Sequence, residues 1–403
     1  MMAAIAGVQV GAFILCGACL FMVGFDWQAM GYVAPAIVGD LNIPNSALGP
    51  VFGAANVGFS IGAVLAGMLA DKIGRRPVLI GATVWFAVAT LFVAGAASVR
   101  DMLALRFLSG IGFGSVVPTV TALAGEYSSP QTRITTIMVM TTLGMNGGAM
   151  TGGLASAWLI PRFGWPAVFY VGGAAALCIG ALMFLRLPES MPFLVLRTAT
   201  ADSRKGVPLG DLFREGRAAA TTLLWILNFM NLLIVHLVAS WLPTVVREAG
   251  YSISAAVLIA TVFQIGGVIG TFTLAWLIGR RGLVPVLIVS LTVTCGAVAL
   301  IGQPGLSAAA LIAAVFVAGS CVIGSQIGIN ALAATFYPTS MRSSGVGWGL
   351  GIGRAGAIVG PVIGGELIRL QWPTNQIFLA AAMPAAISSM AMFSMRRALV
   401  RDG

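Results

Sequence analysis

From Met1 to Phe25 the chain carries no charged side chain, and comparable apolar runs recur along its 403 residues. A helix needs roughly 20 such residues to cross the hydrocarbon core of a bilayer. The runs are continuous instead of alternating apolar with polar, which excludes a transmembrane barrel and leaves helices as the only way to satisfy the backbone in lipid. With 59% hydrophobic and 8% charged residues, the chain lacks the polar surface of a soluble protein. The expected fold is an all-α membrane protein.

The runs predict twelve spans, near 8–34, 47–69, 78–98, 102–125, 134–158, 166–187, 219–242, 254–278, 284–302, 306–334, 345–369 and 376–395. One polar stretch, 190–217, interrupts them and carries Arg197, Asp202, Arg204, Lys205, Asp211, Arg214, Glu215 and Arg217. It reads as a cytoplasmic linker between a six-helix bundle at 1–189 and a second at 218–403. The net charge of +10 does not indicate nucleic acid. About sixteen of the 22 Lys and Arg fall in alternate loops and the C-terminal tail, against four in the opposite loops. That bias places both termini in the cytoplasm.

The five cysteines, including the Cys16–Cys19 pair, all fall inside apolar runs. They read as small packing residues, not as a disulfide framework. The N-terminus has no basic region ahead of its apolar stretch and reads as the start of the first span. No phosphate loop, zinc spacing or nucleophile constellation is present, so an enzyme is not expected, and no metal or cofactor.

The halves repeat one another. A shift of 208 lays 69–80 on 277–288, with Pro-Val-Leu-Ile identical at 77–80 and 285–288. A shift of 210 lays Gly114-Ser115 on Gly324-Ser325 and Tyr127 on Tyr337. A shift of 212 lays Gly144, Gly148, Gly152 and Gly153 on Gly356, Gly360, Gly364 and Gly365. An internal duplication predicts two pseudo-symmetric bundles with a binding site near the membrane midplane. The four-residue glycine series lines one helix face, where it serves close packing or gating.

Two motifs point to a family. Gly67-Met68-Leu69-Ala70-Asp71-Lys72-Ile73-Gly74-Arg75-Arg76 joins spans 2 and 3 and resembles the signature loop of the major facilitator superfamily. Its second-half counterpart, Gly279-Arg280-Arg281-Gly282, lacks the acid. Gly356 through Gly365, with Gly360-Pro361 at its centre, resembles the glycine-proline gating motif of that superfamily. In span 5 that motif has Ala149 where the proline is expected, which argues against a drug antiporter. Within the superfamily, Gly24–Pro35, Arg106–Arg133, Trp241-Leu242-Pro243-Thr244 and Gly351–Arg354 resemble the aromatic acid:proton symporters. That family carries Asp-Gly-x-Asp in span 1. Here Val23-Gly24-Phe25-Asp26 keeps only the second acid.

A carboxylate in mid-membrane costs about 2.5–3.5 kcal/mol on insertion scales, so Asp26 calls for a function. It reads as the proton carrier or as a structural partner of Arg354. Arg354 lies among glycines of span 11, and its planar fork suits a substrate carboxylate. His236, the only histidine, reads as a proton relay, a hydroxyl partner or a packing residue, and the 210 shift sets it opposite Asp26. Arg106 and Glu126 open and close span 4. Arg106 is expected as an outer-edge anchor or a substrate contact, Glu126 as a salt-bridge partner of Arg133 or Arg76. Glu366 and Arg369 form a surface pair. Asn146, Asn228, Gln264, Gln326 and Asn330 interrupt apolar spans and read either as substrate contacts in a central cavity or as ties between helices. Trp27, Tyr32, Trp241 and Trp348 offer ring surfaces that stack on a substrate ring or anchor at the membrane interface. The gating set is Gly67, Asp71, Gly74, Arg75 and Arg76 with Gly144, Gly148, Gly356, Gly360 and Pro361.

The resemblance implies a proton-driven importer of small aromatic carboxylates, monomeric, in a bacterial inner membrane, with the proton gradient as its energy source. The rival readings are a carrier of non-aromatic organic anions or sugars, and a sensor that binds aromatic acids without accumulating them.

Overall fold

A computed structural model describes residues 2–128, 133–189, 209–338 and 341–401. It contains twelve long helices and no strand among the described residues. They are α1 (Met2–Leu41), α2 (Leu48–Ile73), α3 (Arg75–Val93), α4 (Val99–Tyr127), α5 (Arg133–Thr141, a π turn at Thr142–Asn146, then Gly147–Phe163) and α6 (Pro166–Arg186). After the linker come α7 (Ala218–Glu248), α8 (Ile253–Arg281), α9 (Leu283–Ile301), α10 (Ala308–Phe336), α11 (Arg342–Arg369) and α12 (Thr374–Arg401). Eleven of them are long and apolar enough to cross a membrane. The exception is α5, whose two α-helical parts run 9 and 17 residues on either side of the π turn. Hydrophobic runs do not reveal such a turn, because one extra residue leaves the apolar pattern intact.

The chain divides into one unit of Met1–Ser203 with Gly250–Leu258 and another of Arg204–Ala249 with Ile259–Gly403. Most of the predicted linker, with Arg197, Asp202, Arg204 and Lys205, lies outside the described residues. Its end forms a short 3-10 turn, Leu209–Phe213. Buried Leu212 ties that turn into an apolar core with Leu224, Leu287, Ile329, Tyr337 and Met392.

The two units repeat a set of close helix contacts, and the repeat corrects the register. A Cβ at Gly58 or Gly62 would lie 2.1 or 2.0 Å from the carbonyl oxygens of Phe107 and Ile111, joining α2 to α4. In the second unit, a Cβ at Gly266 or Gly270 would lie 2.3 or 2.1 Å from the carbonyl oxygens of Phe316 and Ser320, joining α8 to α10. These pairs correspond at shifts of 208 and 209. Loop chemistry repeats too. Gly74 and Gly282, 208 apart, turn the chain at φ +107° and +84° with ψ near 160°, a region essentially closed to other residues. Ser98 and Ser307, 209 apart, cap α4 and α10 by accepting from the N–H three residues on.

The glycine series follows the same register, not the shift of 212. A Cβ on Gly148 would meet the Phe21 carbonyl oxygen at 1.9 Å, and one on Gly356 would meet that of Phe229 at 2.1 Å. Gly152 faces Phe25 as Gly360 faces Leu233. Both members of each pair move by 208. Glycines spaced every four residues align with themselves after a slip of one helical turn, which is why sequence matching alone misplaces them. In the true register Pro361 corresponds to Gly153, not Ala149, and His236 corresponds to Gln28, not Asp26. These glycines permit α1–α5 and α7–α11 backbone contact. Gly24 does the same from the other side, its missing Cβ lying 1.9 Å from the Met145 carbonyl inside the π turn.

Candidate functional site

Two polar clusters interrupt the apolar interior, one in each unit. In the first, Asp26 of α1 and Arg106 of α4 form an ion pair whose side chains are each 2% exposed. Arg106 Nη1 donates to Asp26 Oδ1 at 3.1 Å, and Nη2 donates to the Asp26 carbonyl oxygen at 3.3 Å. The Thr90 hydroxyl of α3 donates to Asp26 Oδ2. The guanidinium lies 5.5 Å from the centre of the Phe113 ring. Half-buried Trp27 packs edge-on against Phe59 at 5.3 Å and Phe113 at 5.9 Å. Three helices thus converge on one carboxylate, and an aromatic ring flanks its guanidinium partner.

This arrangement corrects the expected place of Arg106. It is not an edge anchor but stands seven residues inside α4, and Asp26 finds its counter-charge within its own unit. The pairing had a sequence signal: two opposite charges, each alone in an otherwise uncharged span. Nothing in the sequence said that they were each other's partner.

The duplication tests whether the fold needs this pair. At the corrected register Asp26, Thr90 and Arg106 correspond to Ile234, Val298 and Val315, all 0% exposed. The same packing is therefore achieved in the second unit with three apolar side chains.

The second cluster joins α7 to α10 through side-chain amides. Gln326 Nε2 donates to Asn228 Oδ1 at 3.1 Å and to Asn330 Oδ1 at 3.2 Å. Asn231 Nδ2 donates to Gln326 Oε1 at 2.8 Å and to the Val322 carbonyl at 3.2 Å. Asn228 Nδ2 donates to the Leu224 carbonyl at 3.1 Å. A Cβ on Gly353 of α11 would lie 3.4 Å from Asn228 Cβ, so the network abuts α11 one residue before Arg354. Arg354 is half-buried and within electrostatic reach of His236. His236 is buried, and its Nδ1 lies 2.9 Å from the Leu232 carbonyl. A carbonyl only accepts, so Nδ1 carries the proton in this contact.

The other expected residues are distributed as follows. Trp241 is 2% exposed and donates from Nε1 to the Pro361 carbonyl at 2.9 Å, tying α7 to α11. Gln264 of α8 is buried, and Asn146 is the half-buried last residue of the π turn. Tyr32 is fully buried and donates to the Ala149 carbonyl at 3.0 Å. Trp348 stacks on Trp225 at 6.3 Å.

In the loop between α2 and α3, Arg75 pairs with Glu126 at 3.3 Å and with exposed Asp71 at 3.5 Å. The Arg75 and Arg76 backbone N–H groups both donate to Glu189 Oε1 at 3.1 Å. The Arg76 guanidinium donates to the Phe184 carbonyl. Glu126 is thus held by Arg75 and not by Arg76, and the Arg133 side chain lies outside the described residues. Gly67 is exposed and has open space where a Cβ would be. Glu366 and Arg369 do form an exposed pair. Among the described residues no group of His, Cys, Asp and Glu is placed to hold a metal.

Comparison with known proteins agrees with this architecture. The family model of the Major Facilitator Superfamily matches residues 16–348 and 224–401. The chain is 36% identical to the 4-hydroxybenzoate transporter PcaK of Pseudomonas aeruginosa, over 94% of this chain and 90% of that protein. It is 35% identical to the gallate transporter of Pseudomonas putida, over 98% and 94%. It is 29% identical to the benzoate transport protein of Acinetobacter baylyi, over 92% and 86%. Among solved structures, a D-xylose–proton symporter superposes with a TM-score of 0.80 at 14% identity, covering 96% of this chain and 97% of that one. The nucleoside transporter NupG superposes with a TM-score of 0.79 at 16% identity, over 96% and 99%. Twelve helices in two duplicated units, the loop signature at Gly67–Arg76 and these full-length matches lead to one conclusion: the chain belongs to the Major Facilitator Superfamily, as a multi-pass membrane transporter and not an enzyme, in the group that holds the 4-hydroxybenzoate and gallate transporters.

Proposed function

We propose that this protein imports small aromatic carboxylates together with protons, by alternating access, in the bacterial inner membrane with both termini in the cytoplasm. The observation that carries the coupling is the buried Asp26–Arg106–Thr90 cluster, present in one unit and replaced by apolar residues in the other. A group that the fold does not require, at a depth where charge is costly, is a group kept for its chemistry. The substrate class rests on relatives that match nearly the whole chain and are named as 4-hydroxybenzoate, gallate and benzoate transporters.

In this reading a proton arriving at Asp26 neutralises the carboxylate and cancels its attraction for Arg106. The guanidinium is then released to a different set of contacts, and α1 and α4 are freed from one another. The substrate carboxylate docks at Arg354 beside His236. Reorientation opens the site inward, substrate and proton leave, and re-formation of the Asp26–Arg106 pair returns the empty carrier.

The test is uptake of labelled 4-hydroxybenzoate, gallate and benzoate into proteoliposomes with an imposed proton gradient, with Asp26→Asn alongside. Accumulation by the wild type, with the variant retaining exchange but failing to accumulate, is the expected outcome. Accumulation by Asp26→Asn against a gradient removes Asp26 as the coupling acid. Uptake only of sugars or aliphatic acids removes the aromatic assignment, and binding without accumulation favours a sensor.

A further inference from the structure

The amide network of the second unit has a direction, and its direction exposes one donor. Asparagine and glutamine amides can usually be turned end for end, but here backbone carbonyls set them. Val322 O and Leu224 O can only accept, so the atoms facing them are Asn231 Nδ2 and Asn228 Nδ2. Asn231 Nδ2 in turn faces Gln326 Oε1, which turns Gln326 Nε2 towards Asn228 Oδ1 and Asn330 Oδ1. Every atom in the chain is thereby assigned, ending on Asn330. Its Oδ1 is occupied by Gln326, while Asn330 itself is half-buried and its Nδ2 has no hydrogen-bond partner among the described residues.

The network is also dispensable to the fold. At the corrected register Asn228, Asn231 and Gln326 correspond to Leu20, Val23 and Val117 of the first unit, and Asn330 to Thr121. It abuts the helix that carries Arg354, because a Cβ on Gly349 or Gly353 of α11 would lie 3.4 Å from Asn228 Nδ2 or Cβ. Asn330 stands six residues before the end of α10 and Arg354 twelve after the start of α11, so the two differ in depth by roughly 9 Å at 1.5 Å per residue. Helical side chains slant towards the N-terminal end of their helix, which for Arg354 is the direction of Asn330's depth, and the shortened gap is of the order that a para-substituted ring bridges.

We propose that Asn330 Nδ2 is a specificity-determining donor that binds an oxygen substituent on the substrate ring, para to the carboxylate held at Arg354. This rests on the proposed aromatic-acid function and adds to it a preference for 4-oxygenated acids. A hydroxyl oxygen accepts this hydrogen bond. The nitrogen of an aromatic amine of nearly equal size, its lone pair delocalised into the ring, accepts poorly and brings its own N–H groups against the donor.

The experiment measures binding of 4-hydroxybenzoate, 4-aminobenzoate and benzoate to the purified full-length protein. The wild type binds 4-hydroxybenzoate about tenfold more tightly than 4-aminobenzoate, the factor expected of one mismatched hydrogen bond. Asn330→Leu has nearly the same size but offers neither donor nor acceptor, so it brings the ratio of the two ligands towards one whatever happens to absolute affinity. If both ligands bind Asn330→Leu with the wild-type ratio, the proposal is overturned. Should that variant fail to fold, Asn330→Ser, whose hydroxyl both donates and accepts, brings the ratio towards one, and a ratio still near tenfold overturns the proposal. Failure of all three acids to bind the wild type overturns the aromatic-acid function itself and this inference with it.

Discussion

The duplication supplies a substitution experiment on the Asp26–Arg106 pair that the molecule has already performed once. Asp26→Ile, Thr90→Val and Arg106→Val together give the first unit the three side chains that the second unit carries at the same places. At 3.1 Å the two charges attract by about 5 kcal/mol at an effective dielectric near 20. Desolvation of both groups offsets much of this, and apolar replacement of a whole buried pair is commonly neutral or stabilising by about 1–4 kcal/mol. Arg106→Val alone differs, because it strands the Asp26 carboxylate at 1% exposure and costs about 3–5 kcal/mol. The packing lost in replacing arginine by valine is common to both proteins and cancels between them. Unfolding in mixed detergent micelles should therefore find the triple variant more stable than Arg106→Val by about 3 kcal/mol, roughly 150-fold in the unfolding equilibrium. Proteoliposome uptake should find both unable to accumulate substrate. A triple variant no more stable than Arg106→Val means that the pair holds the fold together. A triple variant that still accumulates substrate means that coupling lies elsewhere.

Two further predictions concern the helix contacts. Gly148→Ala forces a methyl group to within 1.9 Å of the Phe21 carbonyl oxygen, and should abolish monodisperse protein in size-exclusion chromatography. Gly81→Ala meets nothing within 4 Å and should leave the elution profile unchanged. Trp241→Phe removes the 2.9 Å hydrogen bond to the Pro361 carbonyl but keeps most of the ring, so a thermal-shift measurement should report a loss of about 1 kcal/mol. Trp241→Ala should cost about 3–5 kcal/mol through the cavity it opens. Equal losses in the two Trp241 variants would mean that the hydrogen bond, not the ring, carries the contact.

The membrane class, the helix count and the duplication were legible in the sequence because they depend on local composition. An uncharged run of about 20 residues has no other stable form in lipid, and a repeated glycine turn such as Gly74 and Gly282 leaves its mark in both halves. The importance of Asp26 was legible for a similar reason, since a lone carboxylate in an apolar run is conspicuous wherever the helix packs. Three other features were settled only by tertiary structure. One is the register of the glycine faces, which a four-residue period leaves free to slip by a turn until the Phe21 and Phe229 carbonyls select one alignment. Another is the π turn at Thr142–Asn146, one residue too many in a stretch whose hydropathy does not change. The last is partnership: Asp26 with Arg106, 80 residues away, and Gln326 with Asn228, 98 away. A side chain's need for a partner is written in its own chemistry, while the identity of that partner depends on which helix faces meet, and that is decided by packing along whole helices.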